Sequence, residues 1–437
     1  MRDRPARDAI VAELQSPAFA RAYTLTALTA GFLTAVLHRT VGTVTLATIV
    51  TGLACLGVAV LVARRDELSL VGFAPTSLVL FLAWTLASVA WALDGARGRT
   101  LAAWLALVGW AVVAITIAHV RDTLQIARAV GDVLRWLLTL SLALEVLSGI
   151  VIDVPFTALG ITGDIAFGGP VQGLFASRNL LAFVAVVALV TFTIEWRSRS
   201  VPRHVAGYSL ILAALLAVLS SSPTAFVLLV MMVVATAALG IARLVPLPRR
   251  RTAQVAIAAA AVIGFIGAFA MRGPIVRFLS ARSGFTTRAD LWTQMIEWIR
   301  HRPITGWSWF GTWEDEPFPT NIVNLSLGSP NASALSAYFD VLLQLGWVGL
   351  LLFSLLILLA LARAWLAASD RRSVVYAWLP LMLVALLVES VFESYALSDL
   401  GWLLLVICAV RAGQERSWRI ALDPTAPLPP PRGLPRP

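Results

Sequence analysis

Lysine is absent from this chain of 437 residues, and all 34 basic positions are arginine. Charge of either sign is scarce: charged residues make up 13%, against roughly 25% in a soluble domain. The two cysteines, Cys55 and Cys408, both sit inside apolar runs, which excludes a disulfide framework. The four histidines (His38, His119, His204 and His301) lie far apart, so no metal-binding cluster is expected. Continuous apolar runs without in/out alternation exclude an outer-membrane barrel.

What is present is hydrocarbon. Hydrophobic residues reach 59%, and the mean hydropathy is +0.83. Apolar runs of 18 or more residues recur, each long enough to cross roughly 30 Å of bilayer as a helix. The chain reads as an all-α, polytopic membrane protein with membrane lipids as its surroundings. Its net charge of +10 does not indicate a nucleic-acid partner. The arginines cluster in short loops between spans, which is how topology signals are distributed.

Spans are expected at about 21–37, 42–63, 74–93, 100–119, 128–151, 178–195, 204–220, 224–243, 253–271, 337–362, 374–392 and 397–412, about twelve helices in all. Arg64/Arg65, Arg121/Arg128, Arg197/Arg199/Arg203, Arg249–Arg251 and Arg371/Arg372 then fall on one side, together with both termini. Short arginine-rich loops stay cytoplasmic, so the expectation is a multi-pass protein of the cytoplasmic (inner) membrane with both termini inside. Residues 1–20 read as a cytoplasmic segment, 21–412 as the transmembrane domain, and 413–437 as a proline-rich disordered cytoplasmic tail.

The longest polar interruption, 272–336, is the expected extracytoplasmic loop and should carry short amphipathic helices. Thr287-Arg288-Ala289-Asp290 has capping-box spacing, which predicts a helix starting at Arg288. Leu291, Met295, Trp298 and Ile299 would share one face of it, and Pro303 and Gly306 would end it. Arg288 beside free backbone N–H groups suits a diphosphate; an interfacial snorkelling arginine is the alternative. Trp292, Trp307, Trp309 and Trp313 suit stacking on sugar rings or, equally, an aromatic belt.

Two smaller elements share that side. Gly173–Asn179 places Arg178 and Asn179 at the mouth of the sixth span, and Ser220–Thr224 makes a tight turn. Glu145 and Glu389 lie at membrane depth, where carboxylates face an interior or a cavity. Glu393 is expected near the surface and solvated.

The ordered series GLFASRN, SSSPTA, TRADLW, RPITGWSWFGTW, YFDVLLQLGWVGL and ESVFES resembles the O-antigen ligase and polysaccharide polymerase family over roughly 170–400. The resemblance implies transfer of a saccharide from a polyprenyl-diphosphate carrier to a glycan or lipid acceptor on the outer face of the membrane. It also implies chemistry without metal or cofactor, and the chain has no D-x-D motif. By position, Arg288, Arg178 and Asn179 would bind the donor, with Trp292, Trp307, Trp309, Trp313 and Tyr338 lining the saccharide path. Leu335-Ser336 stands where the family carries its His-Asn pair, and leucine cannot take a proton. Asp340, five residues on, is the candidate substitute base. A non-catalytic relative acting as a scaffold or lipid-linked-glycan-binding partner is the second reading. A transporter or flippase is the third, with few intramembrane charges to support it.

Overall fold

The computed structural model describes residues 4–66, 68, 72–175, 177–271, 285–314 and 317–415. The first part of the expected loop (272–284) and most of the expected tail (416–437) lie outside them.

The architecture is all-α. Among the described residues the only β-type pairing is an isolated bridge between Phe156 and Ile161. The helices run α1 (Arg4–Gln15), α2 (Pro17–Phe32), α3 (Thr34–Ala63), α4 (Thr76–Ala87), α5 (Arg97–Val120), α6 (Thr123–Val146), α7 (Arg178–Ser198) and α8 (Arg203–Leu219). They continue as α9 (Pro223–Leu244), α10 (Leu247–Ala270), α11 (Phe285–His301), α12 (Thr320–Leu327), α13 (Ala337–Asp370), α14 (Trp378–Phe392) and α15 (Asp399–Glu415). Among the described residues seven helical stretches are long and apolar enough to cross a membrane, and α8 and the α4 region add shorter apolar helices. Each of the twelve expected spans overlaps one of the fifteen helices, but those at 253–271 and 397–412 fall on α10 and α15, which are not among the stretches of membrane-crossing length and apolarity. The expected span at 21–37 breaks at Leu33, where a new helix begins. That helix turns again at Gly42, whose φ is 81°.

A bilayer solvent accounts for the outside of this bundle. Val44, Phe226, Val233, Leu244 and Ile263 are exposed apolar side chains on helices, which water would penalise and lipid does not. The centre is α7, α14 and α15. Leu181–Ala188 and Leu403–Val410 are buried without interruption, as expected for helices surrounded by others. α7 packs on α6, α8, α9 and α14, while α15 packs on α5, α13 and α14. Gly57 permits a close crossing: a Cβ there would lie 2.6 Å from the Tyr23 hydroxyl and 2.7 Å from that of Thr116.

One break in a helix builds the platform for the site. Gly346 interrupts α13 with φ of 67°, where a Cβ would sit 2.2 Å from the Ile304 carbonyl oxygen. Gly306 (φ 66°) faces it, and its Cβ would lie 2.4 Å from the Gln344 carbonyl. Two glycines are therefore required where the loop segment Pro303–Trp307 lies across the helix backbone. The break frees backbone groups, and the loop uses them. Trp307 N–H donates to the Leu343 carbonyl at 3.0 Å, and Trp347 N–H to the Pro303 carbonyl at 2.8 Å. Trp84 Nε1 donates to the Leu345 carbonyl at 3.1 Å, tying α4 to the same point.

Candidate functional site

Five separate pieces of chain meet at one end of the bundle: the start of α7, the α8–α9 turn, α11, the start of α13 and the end of α14. Ser177 caps α7 by accepting the Leu180 N–H at 3.1 Å, which sets Arg178 and Asn179 in its first turn. The serine turn takes Ser221 into the left-handed region (φ 47°), and Pro223 opens α9. α13 is fixed to α14 by three bonds. Ala337 N–H donates to the Glu393 carbonyl at 3.1 Å, the Ser336 hydroxyl to the Ser390 carbonyl at 3.2 Å, and the Tyr338 hydroxyl to the Leu387 carbonyl at 3.0 Å.

α11 opens at Phe285, three residues before the position its capping-box spacing suggests, so Arg288 lies inside the first turn. The expected apolar face is formed. Leu291, Met295 and Ile299 are buried, with Trp298 half-buried beside them.

At the centre stands an ion pair. Arg288 Nη2 donates to Glu393 Oε1 at 2.8 Å, and Nη1 donates to the Leu335 carbonyl at 3.0 Å and to the Phe392 carbonyl. Asn179 Nδ2 donates to the same Glu393 oxygen at 2.7 Å. Asn179 Oδ1 in turn accepts from the Ser222 hydroxyl at 2.7 Å, and Ser222 and Thr224 share a hydroxyl bond of 2.8 Å. A single network thus runs α11–α14–α7–α9. Glu393, expected to be solvated, is 4% exposed. It is buried because α13 and α11 close over the last turn of α14, and Arg288 compensates its charge. Just beyond, Ser177 and Tyr395 share a hydroxyl bond of 2.9 Å. Burial, then the Glu393 charge, hold the Tyr395 phenol well above its ordinary pKa, so it stays a neutral donor and acceptor.

Asp340 lies deeper and is 2% exposed. Its Oδ1 accepts from Trp313 Nε1 at 2.8 Å and from Gln344 Nε2 at 3.4 Å. Its Oδ2 accepts from the Ala334 N–H at 3.1 Å and from the Ser394 hydroxyl. Gln344 carries the network on, its Oε1 accepting the N–H groups of Phe310 and Gly311 at 2.9 and 3.0 Å. Asp340 thus accepts from four donors, two on each oxygen.

The tryptophans are inside. Trp309 and Trp313 are each 1% exposed, and Trp307 is buried against Trp298 and Phe318 in edge-to-face contacts at 5.6 and 5.1 Å. Trp292 stacks on Phe339 at 4.9 Å and donates to the Ala334 carbonyl at 2.8 Å. A sugar platform or an aromatic belt needs an open ring face, and these three buried rings offer none. They form the core that holds the loop instead. Arg178, by contrast, is exposed and has no ion pair among the described residues. Glu389, one turn before Glu393 on α14, is fully buried, and neither of its oxygens has a hydrogen-bond partner.

The structure therefore brings together Arg288, Asn179, Trp292, Tyr338 and Asp340 around the α13–α14 junction. Sequence reasoning missed the role of Glu393, Ser394 and Gln344. The Glu389/Glu393 pair at i, i+4 in the last turn of an apolar helix was the available signal.

Residues 208–354 match the family model described as O-Antigen ligase. Over these residues the chain is O-antigen ligase-like. The matched stretch runs from α8 through α11 and the loop into α13, so it contains Arg288, Leu335 and Asp340. Arg178, Asn179 and Glu393, which complete the network, lie outside it. No curated protein matches the chain.

Proposed function

We propose that this membrane protein is a glycan ligase or polymerase that takes a saccharide from a polyprenyl-diphosphate carrier. The acceptor is a glycan or lipid, the site lies on the outer face of the cytoplasmic membrane, and both termini are cytoplasmic. The observation that carries the reading is the placement of Arg288. The family-matched stretch supplies this guanidinium, and Glu393, itself held by Asn179, and two carbonyls hold it rigid where α7, α9, α11 and α13 converge. A fixed guanidinium, with exposed Arg178 next in the chain to the Asn179 that shares its Glu393 partner, suits the charge that develops on a departing diphosphate. In this reading both arginines bind the diphosphate, and Asn179 sets the position of Glu393. Trp292, Trp307, Trp309, Trp313 and Tyr338 shape the wall of the site from behind. Asp340 is a positioning residue, because its oxygens already accept from Trp313, Gln344, Ala334 and Ser394.

One observation favours a non-catalytic relative that binds lipid-linked glycan without transferring it. Leu335 occupies the position of the family histidine, and what it gives Arg288 is its backbone carbonyl, an acceptor that any residue supplies. The deciding experiment uses the purified full chain in liposomes with a polyprenyl-diphosphate glycan and an acceptor, scoring both joined glycan and released carrier diphosphate. Transfer that Arg288→Ala and Arg178→Ala each abolish supports the ligase or polymerase. Donor binding without transfer assigns the binding role, and transfer unaffected by Arg288→Ala ends the diphosphate reading.

A further inference from the structure

At the far end of α7 from Arg288 lies a cavity of about 570 Å³, bordered by Trp196, Arg197, Arg199, Pro202 and Arg203. We propose that it binds the headgroup phosphate of an anionic phospholipid in the leaflet opposite the Arg288 site. Position comes first. α7 has 21 residues, a rise of roughly 32 Å, so if Arg178 stands at one membrane face the cavity stands at the other. Trp196 is half-exposed there, with Val201 and Val374 beside it, an apolar floor at headgroup depth.

Charge comes second. Among the described residues no carboxylate borders the cavity, and Arg197, Arg199 and Arg203 make no ion pair with any of them. Several other arginines at this end are committed. Arg243 Nε donates to the Ala368 carbonyl at 2.8 Å, Arg250 lies 3.6 Å from Asp370, and Arg411 lies 3.8 Å from Glu415. Arg197, Arg199 and Arg203 are three guanidiniums without a carboxylate partner gathered around one hollow. α8 adds backbone donors, because its N-cap is Pro202, which offers no side-chain acceptor to the first-turn N–H groups. A zwitterionic headgroup brings its own ammonium into this field, whereas a net-anionic one does not. The cavity thus selects for anionic lipid. The inference is independent of any glycan chemistry at the other end.

The test is native mass spectrometry of the full-length protein in detergent, titrated separately with phosphatidylglycerol and phosphatidylcholine of the same acyl chains. The wild type should retain phosphatidylglycerol at much lower concentration than phosphatidylcholine. Each of Arg197→Gln, Arg199→Gln and Arg203→Gln should weaken phosphatidylglycerol about fivefold, and the triple variant on the order of 100-fold, with phosphatidylcholine unchanged. Arg371→Gln/Arg372→Gln, at the same end but outside the cavity, should keep the preference. A triple variant that retains the preference overturns the site, as does equal loss in the Arg371/Arg372 control. So does inorganic phosphate binding to the cavity in the absence of any lipid preference. Thermal melting of each variant excludes unfolding, and the single Arg199→Gln change, at an exposed position, reads the effect should the triple variant fail to fold.

Discussion

Arg288 Nη2 and Asn179 Nδ2 meet on one oxygen, Glu393 Oε1, at 2.8 and 2.7 Å. That shared acceptor couples the loop helix α11 to the mouth of α7 through the end of α14. The guanidinium is therefore fixed in advance, and under the proposed function a diphosphate would meet a cation that needs no reorganisation. The arrangement also makes Arg288 structural, so loss of function on its removal is ambiguous unless stability is read alongside.

A double-substitution cycle resolves that ambiguity. Arg288→Met strands Glu393 as a buried, uncompensated carboxylate and should cost roughly 3–5 kcal/mol of stability. Arg288→Met/Glu393→Met removes both charges and should recover most of that loss. Glycan transfer should stay abolished in the double variant despite the regained melting temperature. Recovery of transfer together with stability would mean that Arg288 serves the fold alone.

Asp340→Asn separates positioning from proton transfer. The amide replaces one acceptor oxygen with a donor facing the fixed donors Trp313 Nε1, Ala334 N–H and Ser394. We expect a stability loss of about 1–3 kcal/mol for a mispaired buried group. Transfer should fall in proportion to misfolding, with its pH profile unmoved in the fraction that remains folded. Undiminished stability combined with complete loss of transfer would instead make Asp340 the base.

The membrane class and nearly all helix positions were legible because lipid leaves a long-wavelength record: apolar runs, sparse charge and arginine loops. The buried face of α11 was legible from its period. The site was legible only in part. Motif order placed Arg288, Asn179 and Asp340 near one another, but hydrogen-bond partners depend on which helix ends meet, and no periodicity encodes that. Glu393 looks like a solvated end residue in sequence; only the closure of α13 and α11 over α14 buries it. The tryptophan run looked like a surface because aromatic belts and aromatic cores share a composition. The break at Gly346 decides for a core, by letting Trp307 bond into α13.

That break gives the third prediction. In Gly346→Ala the new Cβ would lie 2.2 Å from a backbone carbonyl oxygen, at a residue with φ of 67°. Left-handed backbone and overpacking together should cost roughly 2–5 kcal/mol. The loop should lift from α13 before the bundle melts. Protease cleavage between 303 and 313 in the folded variant would show it, and unchanged cleavage would mean the glycine is not required.

The last prediction concerns Leu335, whose backbone is itself left-handed (φ 50°). This conformation is uncommon for leucine and several-fold richer in histidine and asparagine. The backbone is therefore already shaped for the residue that the family places here, while its carbonyl serves Arg288 at 3.0 Å whatever the side chain. The leucine side chain is only half-buried, against the cluster around Trp292 and Phe339. Leu335→His gives up part of that contact and relieves part of the backbone cost, so stability should stay within about 1 kcal/mol of wild type. If proton removal from the acceptor limits transfer, the new imidazole beside the Arg288 network should raise the rate by on the order of 10²-fold. The gain should appear with a new inflection near neutral pH, as the imidazole loses its proton and becomes a base. A stable Leu335→His protein with neither a faster rate nor a new inflection would show that the acceptor proton leaves by a route that does not pass this position.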